Sequence, residues 1–126
     1  MNSLISSVYV QENTQFCASV ASWLSAKGFE IIHFKGDDEA EFDTIDAAVI
    51  FHENHNFDKA ITDLRDVLDE RNVPIHKIDL SGTMNVALTH LALFFERTKC
   101  KKALFFGSEA LENHPKMEVF KEKVAL

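Results

Sequence analysis

The sequence predicts a three-layer α/β domain, in which a parallel sheet lies between two layers of helices. Apolar segments of strand length alternate along the chain with segments that repeat at helical spacing, and this alternation is typical of parallel sheets. Residues 47–51 are apolar without interruption, as expected for a strand that helices cover on both faces. We therefore place this strand near the centre of the sheet.

The first third of the chain predicts a strand, a helix and a second strand. Residues 8–10 form a short strand, and Asn13 or Thr14 can cap the helix that follows. Gly28 ends this helix, and residues 29–34 form a strand with mixed faces, which indicates an edge or half-exposed position. The apolar residues at helical spacing in this helix are Phe16, Cys17, Val20, Trp23 and Leu24.

The rest of the chain adds three strands and three helices. An acidic segment, residues 36–45, reads as a solvated loop before the central strand. A helix begins at about Asp58 and ends before Pro74, and residues 75–80 then alternate more than an interior strand should. The remaining predicted elements are a long helix over residues 83–98, a strand over 103–106 and a helix from about Pro115 to the end.

These elements predict one domain over residues 1–126, since a chain of 126 residues is of ordinary single-domain length. The alternation of strands and helices favours a five-stranded parallel sheet with the flavodoxin-like strand order 2-1-3-4-5. Such a domain buries enough surface for a core without disulfides, and the two cysteines, Cys17 and Cys100, do not make a disulfide framework.

The net charge of −7 argues against nucleic acid and anionic membranes as partners, because both attract basic surfaces. No apolar run approaches membrane-spanning length, and the first residues lack the pattern of a signal peptide. We therefore expect a cytoplasmic location. Lysines around Cys100 could lower the pKa of its thiol, but neither a base nor a motif accompanies it.

Polar residues follow three of the predicted strands, where ligands of open α/β sheets bind. In the predicted order the ends of the first, third and fourth strands lie side by side. The candidate ligand-binding residues there are Glu12, Asn13, His52, His55, Ser81, Gly82 and Thr83, with Glu53 and Asn54 between the two histidines. The alternative is that strand ends are polar simply because they reach the surface.

Two kinds of chemistry fit these residues. Ser81, Gly82 and Thr83 begin a helix, so free amides and the helix dipole favour a phosphate or carboxylate, although an ordinary N-cap has the same composition. Glu53 with His52 or His55 could supply an acid and a base. The zinc-protease spacing His-Glu-x-x-His is absent, as are a P-loop and a dinucleotide fingerprint. Two histidines and a glutamate could bind a metal ion without that spacing, but we predict no metal site and leave the cofactor open.

The helix over residues 83–98 is apolar over more of its circumference than one buried face requires, because Val86 and Leu93 add to the inward stripe. Such a helix is either deeply buried or shared with a second subunit. A homodimer through helix 83–98 is therefore one of two interpretations.

The segments Val8-Tyr-Val-Gln-Glu-Asn and Ala26-Lys-Gly-Phe-Glu-Ile-Ile32 resemble a response-regulator receiver domain, and the resemblance weakens after the third strand. Receivers carry an acidic pair after strand 1, an aspartate at the end of strand 3 and a lysine at the end of strand 5. Here only Glu12 matches the acidic pair, His52 stands at the acceptor position and Gly107 near the lysine position. The resemblance therefore implies a receiver-like domain that has lost phosphorylation chemistry.

A second resemblance, to the TIR and nucleoside deoxyribosyltransferase-like group, covers the first strand and its helix, then Ile45-Asp-Ala-Ala-Val-Ile-Phe51 and the following helix up to Val73-Pro-Ile75. That group carries a catalytic glutamate early in this helix, and the matching residue here is Asp63. A carboxylate there would stabilise an oxocarbenium-like centre as a base leaves a ribose. Asp is shorter than Glu, and the flanking motifs of the group are missing, so Asp63 is equally a solvated helix residue.

We thus expect a non-catalytic or regulatory domain that binds a small nucleotide-like ligand or a protein partner. The alternative is an N-glycosidase or transferase acting on a nucleoside or NAD, with Asp63 or Glu53 as the catalytic carboxylate and residues 81–83 holding a phosphate. The sequence does not decide whether the chain is an enzyme.

Overall fold

The computed structural model describes residues 5–11, 14–35 and 39–124. Over these ranges strands and helices alternate as the sequence predicts. The strands are β1 (Ser7–Val10), β2 (Glu30–His33), β3 (Ala47–His52), β4 (Ile75–Asp79) and β5 (Lys102–Gly107). The helices are α1 (Gln15–Ala26), α2 (Glu39–Asp43), α3 (Lys59–Glu70), α4 (Met84–Thr98) and α5 (Pro115–Lys123), with a 3₁₀ turn at Glu109–Leu111.

The five strands form one parallel sheet with the order β2-β1-β5-β3-β4. The predicted three-layer α/β architecture is confirmed. The predicted strand order 2-1-3-4-5 is wrong, because β5 lies between β1 and β3 instead of at an edge. The ends of β1 and β3, predicted to be neighbours, are therefore separated by the end of β5.

Burial explains why β5 is an interior strand and β4 an edge strand. Residues 103–107 of β5 are all buried, as an interior strand requires, whereas β4 buries only Ile78 fully. The alternation of residues 75–80 was the sequence signal of an edge strand. The predicted order follows the commonest topology of such chains, which does not account for this alternation.

Asp46 fixes the contact between β3 and β5 at their amino ends. Its carboxylate accepts hydrogen bonds from the amides of Lys101 and Lys102, both at 3.0 Å, and its own amide donates to the Lys102 carbonyl at 2.9 Å. The acidic segment before β3 is also not a plain loop: it contains α2, whose Phe42 is buried against Phe34.

Phenylalanine rings fill the layer between the sheet and three helices. Phe51 of β3 contacts Phe16 of α1, Phe105 of β5 and Phe120 of α5, and Phe105 contacts Phe95 of α4. Since side chains alternate along a strand, His52 lies on the opposite face of the sheet from Phe51.

Cys100 is fully buried, and burial, with Asp46 nearby, raises the pKa of its thiol to about 12. The lysines beside it in sequence therefore do not activate it. Among the described residues, no helix is long and apolar enough to cross a membrane.

Candidate functional site

The loop after β3 is organised around His52, which is only 2 % exposed. The His52 ring stacks on the exposed His55 ring, with centroids 5.0 Å apart, and packs against Phe57 at 4.9 Å. The amide of His55 donates to His52 Nδ1 at 3.1 Å. This bond places the proton of the neutral imidazole on Nε2.

The tip of this loop has a costly backbone conformation. Asn54 and His55 both lie in the left-handed region, with φ of 52° and 61°. Asn and His tolerate this region better than most non-glycine residues, and each still costs on the order of 1 kcal/mol relative to glycine. Backbone strain clusters at functional sites, although single left-handed residues also end helices in this chain, as Lys99 does after α4.

His52 is held in its neutral form. Burial lowers the pKa of His52, and the neighbouring His55 and Lys77 lower it further, while Asp79 opposes them. A neutral ring is the form that accepts the His55 amide, so burial and the hydrogen bond favour the same state.

Asp79, at the end of β4, ties the two strand-end loops together. Its Oδ1 accepts hydrogen bonds from the amides of Ser81 at 2.9 Å and Asn54 at 3.2 Å. The Ser81 hydroxyl lies 2.6 Å from the same oxygen and 2.8 Å from Asn54 Oδ1. Burial by itself would raise the pKa of Asp79, but the hydrogen bonds from Ser81 and Asn54, together with His52, lower it below its ordinary value.

A second link joins the β3 loop to the segment after β5. The Glu53 carboxylate pairs with His114 Nε2, and His114 Nδ1 accepts the amide of Lys116 at 3.1 Å as the N-cap of α5. The side chains of Glu53 and His114 are 42 % and 15 % exposed. Glu53 thus holds the loop against α5 and remains partly accessible to solvent.

The N-terminus of α4 lies beside this network. Thr83 is its N-cap residue, yet its side chain makes no capping hydrogen bond, whereas Thr14, Asp58 and His114 cap α1, α3 and α5 with theirs. The predicted start of this helix at Ser81-Gly82-Thr83 therefore agrees with the structure to within one residue.

The sequence-predicted residues divide into three groups. Glu12 and Asn13 lie outside the described residues. The ends of β3 and β4 bring together the other predicted ligand-binding residues, which are His52, His55, Ser81, Gly82 and Thr83, with Glu53 beside them.

Asp63 lies elsewhere, on α3. Its carboxylate is 61 % exposed and pairs with Lys59 at 2.8 Å, which is the ordinary geometry of a solvated helix pair. Its catalytic role stays a prediction.

Three residues of the site were not singled out from the sequence. They are Asp79, which falls within the alternating residues 75–80, and His114 and Phe57, neither of which belongs to a sequence motif. A polar residue at the last position of a strand is a usable signal for Asp79. His114 has a weaker one: a residue directly before a proline at a helix start is a candidate N-cap.

The described residues contain no group of three or more His, Cys, Asp or Glu side chains arranged to hold a metal ion. The acidic and imidazole groups of the site are instead engaged with one another and with backbone amides. What the site offers to a ligand is mainly hydrogen-bond donors at the α4 terminus and the exposed side chains of Asn54 and His55.

Neither a protein-family model nor a curated protein sequence matches the chain. Among solved structures, the chain is similar to a protein from Syntrophus aciditrophicus SB described as a "putative molybdenum carrier protein". The two share 12 % sequence identity over 95 % of this chain and 97 % of the other, with a TM-score of 0.71. At this identity the likeness supports the α/β parallel-sheet fold alone, and it does not bear on the resemblances to receiver, TIR or deoxyribosyltransferase domains.

Proposed function

We propose that the chain is a non-catalytic ligand-binding domain, and that a small nucleotide-like ligand binds at the carboxyl edge of the sheet, over the ends of β3 and β4. The observation that carries the proposal is the loop organised by His52, where buried, hydrogen-bonded and strained residues occur together. Two successive left-handed residues, Asn54 and His55, lie beside the buried His52, and this combination supports a role beyond connecting β3 to α3.

The donors of this edge indicate where an anionic group of the ligand would bind. Asp79 is already occupied by Ser81 and Asn54, so its charge is partly neutralised. The Ser81 and Gly82 amides already donate to Asp79. The donors offered to an anion at the start of α4 are therefore the Thr83 hydroxyl, which makes no capping hydrogen bond, and the first-turn amides, where a 15-residue helix presents a positive dipole end. We therefore assign the phosphate or other oxyanion of the ligand to residues 81–83.

Isothermal calorimetry tests the assignment with ADP, AMP, inorganic phosphate and molybdate as probes. Molybdate belongs in this panel because the structural neighbour is described as a molybdenum carrier and molybdate is a tetrahedral oxyanion. We expect binding of at least one probe, weakened about tenfold or more by Thr83→Val or Ser81→Ala. Thr89→Val, on the exposed surface of the same helix, is the matched control. Equal affinities for all three variants would contradict the assignment.

The alternative, an N-glycosidase or transferase, is favoured by one feature, the pairing of Glu53 with His114. A carboxylate beside an imidazole can exchange a proton with a leaving base. We expect no free nicotinamide or nucleobase when the protein is incubated with NAD or nucleosides. Release that is lost in Glu53→Gln would establish the enzyme, and release lost in Asp63→Asn would locate its carboxylate on α3.

The proposed ligand does not exclude a protein partner or a homodimer through helix 83–98. Val86 and Leu93 are 50 % and 54 % exposed, so α4 does present an apolar outer surface. Sedimentation over a range of concentrations tests the dimer. A monomer at all concentrations would contradict it.

A further inference from the structure

One hydrogen bond makes the loop over residues 53–57, the β3 loop, dependent on the protonation of a buried ring. His52 Nδ1 accepts the His55 amide at 3.1 Å, and this nitrogen accepts only while it carries no proton. An imidazolium has N–H groups at both ring nitrogens, so a protonated His52 would set one donor against another at this contact. The observed loop conformation therefore requires the neutral form of His52.

The surroundings of His52 disfavour a second ring proton. The ring is 2 % exposed and contacts the rings of His55 and Phe57. Burial is the main reason that the pKa of His52 lies below its ordinary value, and Lys77 on β4 adds a like charge. A charged ring would thus be buried among apolar and cationic neighbours.

The carboxylates around His52 are already engaged with other groups. Asp79, on β4, opposes the lowering of the His52 pKa, but its Oδ1 accepts hydrogen bonds from two backbone amides and a serine hydroxyl. Glu53, in the loop itself, is paired with the N-cap histidine of α5. On α3, Arg65 lies 3.9 Å from Asp66, so its charge is partly neutralised. Burial therefore outweighs these charges and favours the neutral ring.

The β3 loop also carries the side chains that face the proposed ligand. Asn54 and His55 lie in the left-handed region, with φ of 52° and 61°, so other contacts must hold them there. The contacts are the His55 amide with His52, the Asn54 amide with Asp79 at 3.2 Å, and the Ser81 hydroxyl with Asn54 Oδ1 at 2.8 Å. Loss of the first contact would release the strained backbone and move Asn54 away from Ser81.

We propose that His52 is a pH switch for the β3 loop, in which a proton on Nδ1 breaks the bond to the His55 amide and opens the loop. The proton comes from solvent, and no covalent bond to carbon changes. The effect on a ligand rests on the proposed function, since it requires a ligand that binds beside Asn54 and residues 81–83. Such a ligand would be held while His52 is neutral and released when it is protonated, and by linkage it would lower the pKa of His52 further.

Amide hydrogen exchange in the ligand-free protein tests the loop by itself. We expect the Asn54 and His55 amides to be protected at about pH 7.5 and to lose about tenfold or more of this protection by about pH 5, after correction for the intrinsic rate at each pH. The loss should follow the titration of the His52 ring, measured by NMR. Amides that stay protected while His52 titrates would overturn the switch.

Two histidine variants separate the switch from a general effect of acid. In His52→Asn, the side-chain oxygen replaces Nδ1 as the acceptor and does not titrate in this range, so the loop should stay protected at both pH values. His76→Asn is the matched control, because the pKa of His76 is also lowered but its ring stacks on Phe94, on the other face of the sheet. It should keep the pH response of the parent.

Calorimetry with ADP over the same pH range tests ligand release. Below the measured pKa of His52, the Kd of the parent should rise by up to about tenfold per pH unit relative to that of His52→Asn, a comparison that cancels the protonation of ADP itself. Equal pH profiles of parent and variant would overturn the switch and leave the proposed function intact. An absence of ADP binding at every pH would count against the proposed function, and the exchange measurement would then decide the switch alone.

Discussion

Polar residues lie at both ends of β3, but they have different roles at the two ends. At the amino end, the Asp46 carboxylate is bound by two backbone amides of the segment entering β5, and its role is complete within the fold. At the carboxyl end, His52 is buried, Asn54 and His55 are left-handed, and the helix terminus nearby lacks a side-chain cap. The comparison shows that polarity at a strand end is a weak sign of function, whereas strain combined with available donors is a stronger one.

The largest expected change in stability comes from the core beneath the carboxyl ends of β3 and β5. A Cβ on Gly107 would lie 2.5 Å from a ring carbon of the buried Phe16 and 3.1 Å from the Phe51 carbonyl. We expect Gly107→Ala to lower the free energy of unfolding by about 2–3 kcal/mol, measured by urea denaturation. Gly82→Ala, where the nearest atom is 3.4 Å away, is the control. Similar losses in both variants would show that packing at Gly107 is not the cause.

The hydrogen bonds of Asp46 at the amino end of β3 can be removed without changing the candidate site at its carboxyl end. Asp46→Ala leaves the amides of Lys101 and Lys102 without their acceptor, and we expect it to lower the free energy of unfolding by about 1–2 kcal/mol. Ligand affinity, measured on the folded variant, should not change. A loss of affinity larger than the loss of stability would mean that the two ends are coupled.

At the carboxyl end of β3, we expect stability and ligand affinity to change in opposite directions. His55→Gly relieves a left-handed φ of 61°, so we expect the free energy of unfolding to rise by about 0.5–1 kcal/mol while ligand affinity falls. Asn72, at the end of α3, has the same φ of 61°, and Asn72→Gly is the matched control. It should leave affinity unchanged. A His55→Gly protein that is less stable, or that binds as well as the parent, would contradict the strain argument.

The smallest expected effect is a dependence of the protein's stability on pH. The pKa values of His52 and His76 are lowered in the folded state, so the unfolded chain binds more protons once the pH falls below their ordinary value of 6.5. Their contribution to stability is complete above that value and declines as the pH drops through it. The urea midpoint should therefore fall between about pH 7 and pH 5. His52→Gln should reduce this fall, and an unchanged slope would show that His52 does not cause it.

Much of the architecture could be predicted from the sequence, because the spacing of apolar residues and the length of each apolar segment identify strands and helices locally. The strand order could not be predicted with the same security. It depends on which strand is buried on both faces, and the unbroken apolar residues 103–106 carried that information alongside the alternation of residues 75–80. The commonest topology of such chains does not take this difference in burial into account.

The placement of the candidate residues could be predicted where they directly follow paired strands, and contacts between distant segments were missed. His52, His55 and Ser81 follow their strands directly, so parallel pairing of β3 and β4 was enough to bring them together. His114 meets Glu53 across 61 positions of sequence, and only the insertion of β5 between β1 and β3 makes that contact. A contact that depends on the strand order could not be predicted before the order was known.

The most direct test of the proposed site is to map a ligand onto the two ends of β3 by amide chemical shifts. The ¹⁵N-labelled protein would be titrated with ADP and, separately, with molybdate. We expect the largest shifts at Asn54, His55 and residues 81–85, with Asp46, Lys101 and Lys102 unchanged. Shifts centred on the amino end, or no shifts with either probe at millimolar concentration, would contradict the placement of a ligand site at the carboxyl edge.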